Sequence, residues 1–124
     1  LTGVELKKNI IKEKSFDFAV RILRLYQYLS SNKKEYVLSK QLLRSGTSVG
    51  AMVRESEYSE SKADFIHKLA IAQKESNETE YWLSLFIDTD YFTKGQMNSI
   101  LEENISLIKM LTAIIITKKK ILGN

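Results

Sequence analysis

The sequence contains no cysteine, no proline and only one histidine, His67. Without cysteine there is neither a disulfide framework nor a thiolate metal site, a composition suited to a reducing cytosol. Without proline, no position in the 124 residues removes a backbone donor from a helix. Glycine is also scarce: Gly3 and Gly123 lie near the ends, Gly95 in an expected loop, and only Gly46 and Gly50 inside a periodic segment. No apolar run reaches the roughly 18 residues that span a bilayer. The most apolar stretch, Leu107 to Ile116, is short and carries Lys109 and Thr112. The N-terminal LTGVELKKNIIKEK lacks the uncharged apolar centre of a signal peptide. A cytoplasmic protein with no membrane association is therefore expected. The length fits one domain, residues 1–124.

Charge is present and unevenly placed. The formal net charge is +4, but residues 1–54 hold 11 Lys/Arg against 4 Asp/Glu, and residues 55–124 hold 8 against 11. A basic first half is compatible with a polyanionic partner without requiring one.

Hydrophobic periodicity predicts four helices. Ile11, Ser15, Phe18, Ile22, Leu25 and Leu29 recur at steps of four and three, opposite a polar stripe of Asp17, Arg21, Arg24 and Tyr28. Leu38, Leu42, Ser45, Val49 and Met52 repeat the pattern, as do Phe65, Leu69, Ala72, Ser76, Thr79, Leu83 and Phe86. The last series is Met97, Leu101, Asn104, Ile108, Leu111 and Ile115. Ser61-x-x-Asp64 and Thr93-x-x-Gln96 have the form of capping boxes before the third and fourth segments. Helices over about residues 5–31, 36–59, 62–88 and 94–119, with short connections, predict an all-α, antiparallel up-down four-helix bundle. In the fourth, Ile105, Leu107, Ile114 and Ile116 lie off the main seam. That surplus of apolar surface reads either as a wide core face or as an interface with another subunit.

Gly46-Thr47-Ser48-Val49-Gly50 has the form G-x-S-x-G of a nucleophile elbow, and Asp64 and His67 follow in triad order. The elbow chemistry needs a strand-to-helix turn, whereas Val37 to Ser56 is helical in pattern on both sides of Ser48. A hairpin turning near residue 60 sets Ser48 opposite residue 72, more than a turn from His67. Metal chemistry fits no better, because a di-iron bundle uses two Glu-x-x-His units. Glu75-x-x-Glu78 also reads as a solvated face, and Arg54 lies too far before His67 for a helical ribonuclease motif. No Walker loop or dinucleotide fingerprint is present. No catalytic, cofactor-binding or metal-ligating residue is assigned, and His67 is expected at a surface or interface.

Ser45, Gly46, Thr47, Ser48, Gly50 and Ala51 instead form a cluster of small side chains in mid-helix. Two interior glycines cost about 1 kcal/mol each relative to alanine, which close approach of another backbone would offset. Helix 3 is small at the facing level, at Ala70, Ala72 and Ser76. Closest approach of helices 2 and 3 is therefore expected there, with Ser45, Gly46, Val49, Gly50, Ala72 and Ser76 as packing residues. The flanking Arg44, Arg54, Glu55, Lys68, Lys74, Glu75 and Glu78 read as solvated charge or as a register-fixing salt-bridge network.

The same region carries a resemblance. Leu43 to Ala51, Glu55, Ser61-Lys62-x-Asp64-Phe65-x-His67-Lys68-Leu69, Lys74-Glu75 and Glu78-x-x-Tyr81-Trp82-Leu83 are the matching elements. Lys14-Ser15-Phe16 and Leu38-Ser39-Lys40-Gln41 extend the match, so it covers most of the chain. The run Gln41 to Phe86 strongly resembles the four-helix-bundle proteins encoded within intervening sequences of bacterial 23S ribosomal RNA genes. The resemblance implies an antiparallel bundle assembling into a homopentameric barrel, with no established enzymatic activity. It also points to related accessory proteins of diversity-generating retroelements, which act with a reverse transcriptase and bind nucleic acid; these are more basic than this chain.

The expectation is a non-enzymatic, oligomeric bundle that binds RNA or other nucleic acid. The basic candidates are Lys7, Lys8, Lys12, Lys14, Arg21, Arg24, Lys33, Lys34 and Lys40, with Lys118, Lys119 and Lys120. Contacts of this kind go mainly to phosphates and are steeply salt-dependent. Tyr28 and Tyr36 stand among these charges with rings able to stack on unpaired bases. Taken singly, each charge reads more readily as a solubilising residue than as a phosphate contact. The alternative is a scaffold that docks a partner protein and has no direct nucleic-acid role.

Overall fold

The computed structural model describes residues 2–121, with Val4 described by its backbone alone; Leu1 and residues 122–124, Gly123 among them, lie outside the described residues. Four helices follow one another: α1 (Gly3–Ser31), α2 (Leu38–Ser56), α3 (Lys62–Asp88) and α4 (Lys94–Ile121). Each packs on its sequence neighbours, and α4 closes the ring against α1 along the thinnest seam. This is an up-down bundle. The starts of α1 and α3 therefore share one end with the finishes of α2 and α4.

Local chemistry sets the boundaries. Thr2 and Glu5 close a reciprocal capping box at the start of α1, two residues before the expected helix start. The α2 helix begins at Leu38 rather than residue 36, because the Glu35 carboxylate accepts the backbone N–H groups of Val37, Leu38 and Ser39. Lys34 turns the chain there through a left-handed conformation with φ of 56°. At the other end α2 stops at Ser56, short of residue 59, and a tight turn leads into α3. The Thr93/Gln96 box forms in full, with each side chain accepting the other residue's N–H. The Ser61 box forms by half: Ser61 accepts from the Asp64 N–H, while the Asp64 carboxylate accepts from Glu60.

The core follows the periodic stripes. Phe18, Ile22, Leu29, Leu42, Val49, Leu69, Leu83, Phe86 and Leu111 are among its fully enclosed side chains. Every member of the α3 series from Phe65 to Phe86 is buried. On α4 the off-seam residues divide: Leu107 and Ile114 enter the core, whereas Ile105 and Ile116 are exposed. The core face of α4 is thus wider than one stripe, but it does not absorb the whole surplus.

The small-residue cluster packs differently from its expected arrangement. A Cβ added at Gly46 would lie 2.7 Å from both γ-carbons of Ile22, and one at Gly50 would lie 3.1 Å from the Ser15 carbonyl oxygen. Both partners belong to α1. The glycines bring α2 against α1, not against α3 as expected. Ser45 does face α3, where the Thr79 hydroxyl donates to its Oγ at 3.0 Å. Successive helical residues point about 100° apart, so Ser45 and Gly46 necessarily address different neighbours.

Candidate nucleic-acid interface

The twelve basic candidates do not form one continuous surface. Lys7, Lys8 and Lys12, early in α1, share an end of the bundle with Lys118, Lys119 and Lys120, in the last turn of α4. Lys33 and Lys34, in the α1–α2 connection, and Lys40, in the first turn of α2, lie at the opposite end. Lys14, Arg21 and Arg24 run along α1 between them.

Their partners differ as well. Lys12 pairs with Glu57 at 3.2 Å. Arg21 reaches across to α4, pairing with Glu103 and donating to the Ser99 hydroxyl at 3.2 Å. Lys14 lines a cleft of about 110 Å³ between α1 and α4 with Asp17, Glu103, Ser106 and Leu107. Lys7, Arg24, Lys34, Lys40, Lys119 and Lys120 are exposed, and no salt bridge among the described residues engages them. Lys33 stands 6.0 Å from the centre of the Tyr28 ring, whose neighbour across the loops is Phe92 at 5.9 Å. Tyr36 is exposed.

The densest arrangement includes a residue absent from the sequence-derived set. The Lys8 and Lys118 ammonium groups stand 4.8 and 5.3 Å from the centre of the same Phe65 ring. Lys62 opens α3 one turn before Phe65 and adds a third positive charge. Burial, then the neighbouring charges of Lys8 and Lys62, push the Lys118 ammonium below the ordinary lysine value. Only folding assembles this group, since its members come from three helices. The sequence signal for Lys62 was its place one turn before an aromatic at a helix start.

The Ser, Asp and His residues of the apparent triad are committed elsewhere or apart. The Ser48 hydroxyl donates to the Arg44 carbonyl at 2.5 Å, and His67 is exposed. Asp64 accepts from the Glu60 N–H at 3.2 Å and from Lys68 at 3.3 Å. That backbone donor and the lysine hold its carboxyl below the usual carboxylate value. No hydrogen bond links the three among the described residues. Glu75 and Glu78 instead flank one guanidinium: Arg44 pairs with Glu75 at 2.9 Å and also with Glu78. Trp82 adds a 2.9 Å hydrogen bond to the same Glu78 oxygen. The network joins α2 to α3 within one chain. Of the flanking charges, Arg44, Glu75 and Glu78 make this network and Lys68 pairs with Asp64, whereas Arg54, Glu55 and Lys74 take part in no salt bridge among the described residues.

An apolar groove of about 250 Å³ runs between α1 and α2, lined by Phe16, Ala19, Thr47, Gly50 and Ala51 and rimmed by Lys12 and Arg54. It is a direct consequence of the glycine waist, which leaves little side chain to fill the surface above it. No helix of the described residues is long and apolar enough to cross a membrane.

Comparison with known proteins follows the same lines. The profile of the 23S rRNA-intervening sequence protein family matches residues 7–113. A crystal structure from Bacteroides thetaiotaomicron VPI-5482, of a protein with unknown function from the S23 ribosomal protein family, is similar at 55% sequence identity and a TM-score of 0.86. The similarity covers 88% of this chain and 97% of that one. A search of curated proteins returned no match.

Proposed function

We propose, for a chain that belongs to the 23S rRNA-intervening sequence protein family, a non-enzymatic role in binding RNA or other nucleic acid through its basic surface. The observation that carries this reading is the set of lysines at both ends of the bundle that make no salt bridge among the described residues, beside exposed aromatic rings. Such groups bind phosphates through charge and stack on bases without demanding sequence. The family's name refers to intervening sequences of 23S rRNA, a setting in which an RNA partner would be at hand.

The protein acts as a homo-oligomer, and the resemblance implies a pentamer. Ile105 and Ile116 on α4, with Phe16 and Leu23 on α1, are exposed apolar side chains that a second subunit would cover. The apolar groove between α1 and α2 supports the second reading, a scaffold that docks a partner protein.

An electrophoretic mobility shift with structured RNA separates these readings. A shift at low salt that fades at moderate salt is expected; absence of a shift at low salt removes the RNA role and leaves the scaffold. Light scattering at micromolar protein concentration tests assembly, and a clean monomer refutes it.

A further inference from the structure

Two helix ends bring ammonium groups over one ring, and a third lysine opens the helix that carries it. Lys8 from α1 and Lys118 from α4 stand over Phe65, and Lys62 lies one turn before that residue at the start of α3. Like charges brought together repel, yet none of the three takes part in a salt bridge among the described residues. No carboxylate among the described residues forms an ion pair with the three. Glu5 accepts from the Thr2 N–H, Glu57 pairs with Lys12, and Asp64 holds Lys68 and the Glu60 N–H. Glu60 itself is exposed and makes no ion pair.

The ring explains how the charges are held. Its negative face attracts cations, and the stems of Lys8 and Lys118 are part-buried as they reach it. Lys118 and its neighbours Lys119 and Lys120 occupy the last turn of α4, where they offset the negative end of the helix dipole. Lys62 stands at the positive end of α3. Burial first, then the charges of Lys8 and Lys62, lower the Lys118 ammonium, and the Glu5 carboxylate offsets part of that effect. Three lysines against one nearby carboxylate leave an excess of positive charge that an anion would offset.

The niche behind Lys8 and Phe65, lined also by Ile11, Val53 and Leu69, has a volume of only about 10 Å³. A base or a sugar does not fit there, so the ligand must approach from outside and present its charge at the surface. A phosphodiester on a strand crossing the end of the bundle meets that requirement.

We propose that Lys8 and Lys118 over Phe65, with Lys62 one turn before it, form the principal phosphate-contact site, over which a nucleic-acid strand crosses this end of the bundle. The site rests on the nucleic-acid reading above and narrows it to one end of the molecule.

The test is fluorescence anisotropy with a labelled single-stranded oligouridylate RNA, titrated with sodium chloride. The full chain carrying Lys8→Gln, Lys62→Gln and Lys118→Gln keeps its stems but loses the charges. It is expected to bind about tenfold or more weakly, and its log–log salt slope falls by about 2, at roughly 0.7 per lost single-strand phosphate contact. Lys33→Gln, Lys34→Gln and Lys40→Gln together make the same charge change at the other end and lower the slope by less than about 0.7, the equivalent of one contact. The corresponding triple arginine variant at positions 8, 62 and 118 retains binding. Lys62→Gln alone alters an exposed side chain, and so tests the site without disturbing the core; its slope falls by about 0.7. Equal losses in the two glutamine triples, or an unchanged slope in Lys62→Gln, overturn this site while RNA binding stands. A wild-type protein that fails to bind at low salt overturns both.

Discussion

The seam between α1 and α2 and the seams that α3 makes with its neighbours solve the same problem differently. Between α1 and α2, backbones approach through glycine, with Gly46 under Ile22 and Gly50 against the Ser15 carbonyl. The seam has no buried side-chain hydrogen bond across it; its cross-seam polar contact is the exposed Lys12–Glu57 pair. On α3, by contrast, every seam carries polar pairs. Ser45 meets Thr79, Ser76 donates to Asn104 Oδ1 at 2.5 Å, and Asn104 Nδ2 returns a 2.9 Å bond to the Ser76 carbonyl. Gln73 donates to Thr112, and Arg44 bridges Glu75 and Glu78. Glycine sets a distance, because any side chain larger than hydrogen collides. Directional hydrogen bonds set register, because sliding α4 by one turn would leave Asn104 buried without its partners.

Breaking the distance-setting seam should cost most. Gly46→Leu forces a large side chain into the fully buried Ile22, and overpacking of this kind costs about 3 kcal/mol. Urea denaturation reads it as a lowered midpoint, and Ile22→Ala in the same chain should restore part of the loss. Wild-type stability in Gly46→Leu would mean that the seam is loose. Breaking the register-setting seam comes next. Asn104→Ala removes both bonds to Ser76 at a fully buried site and should cost about 2 kcal/mol. Replacing the pair together, as Ser76→Ala with Asn104→Leu, should recover most of that stability. If the single change proves neutral, register is set elsewhere. The smallest effect belongs to Arg44→Lys, which loses the fork across Glu75 and Glu78 on a side chain 47% exposed. Solvent screening keeps that loss below about 1 kcal/mol, and the difference from wild type should shrink further at high salt. A larger, salt-independent loss would place this network among the principal supports of the α2–α3 seam.

Much of this architecture was legible in the residues. The α3 stripe from Phe65 to Phe86 is buried throughout because a long amphipathic helix has one phase, and its apolar repeat reveals that phase. Thr93 and Gln96 announce the start of α4 because capping chemistry is local. The start of α2 was less visible: Glu35 lies outside the helix and satisfies its first donors with a carboxylate, without the usual Ser, Thr, Asp or Asn at the cap. On α4, Leu107 and Ile114 look no different in sequence from Ile105 and Ile116. Their burial depends on where α1 and α3 lie around them. The basic candidates were individually readable, but their division between two ends was not, and Lys62 was overlooked because its companions are distant along the chain.

The sequence by itself determined four helices, the caps that open α3 and α4 and the identity of most core faces, because propensity, periodicity and capping act over one or two turns. It also carried its family signature in the stretch from Gln41 to Phe86. Only the tertiary structure decided which helix each small residue of Gly46-Thr47-Ser48-Val49-Gly50 addresses, and which lysines meet over Phe65. One-dimensional spacing determines angles around a helix axis. Which neighbour occupies each angle depends on how the helices are arranged around one another, and contacts across the whole bundle decide that together.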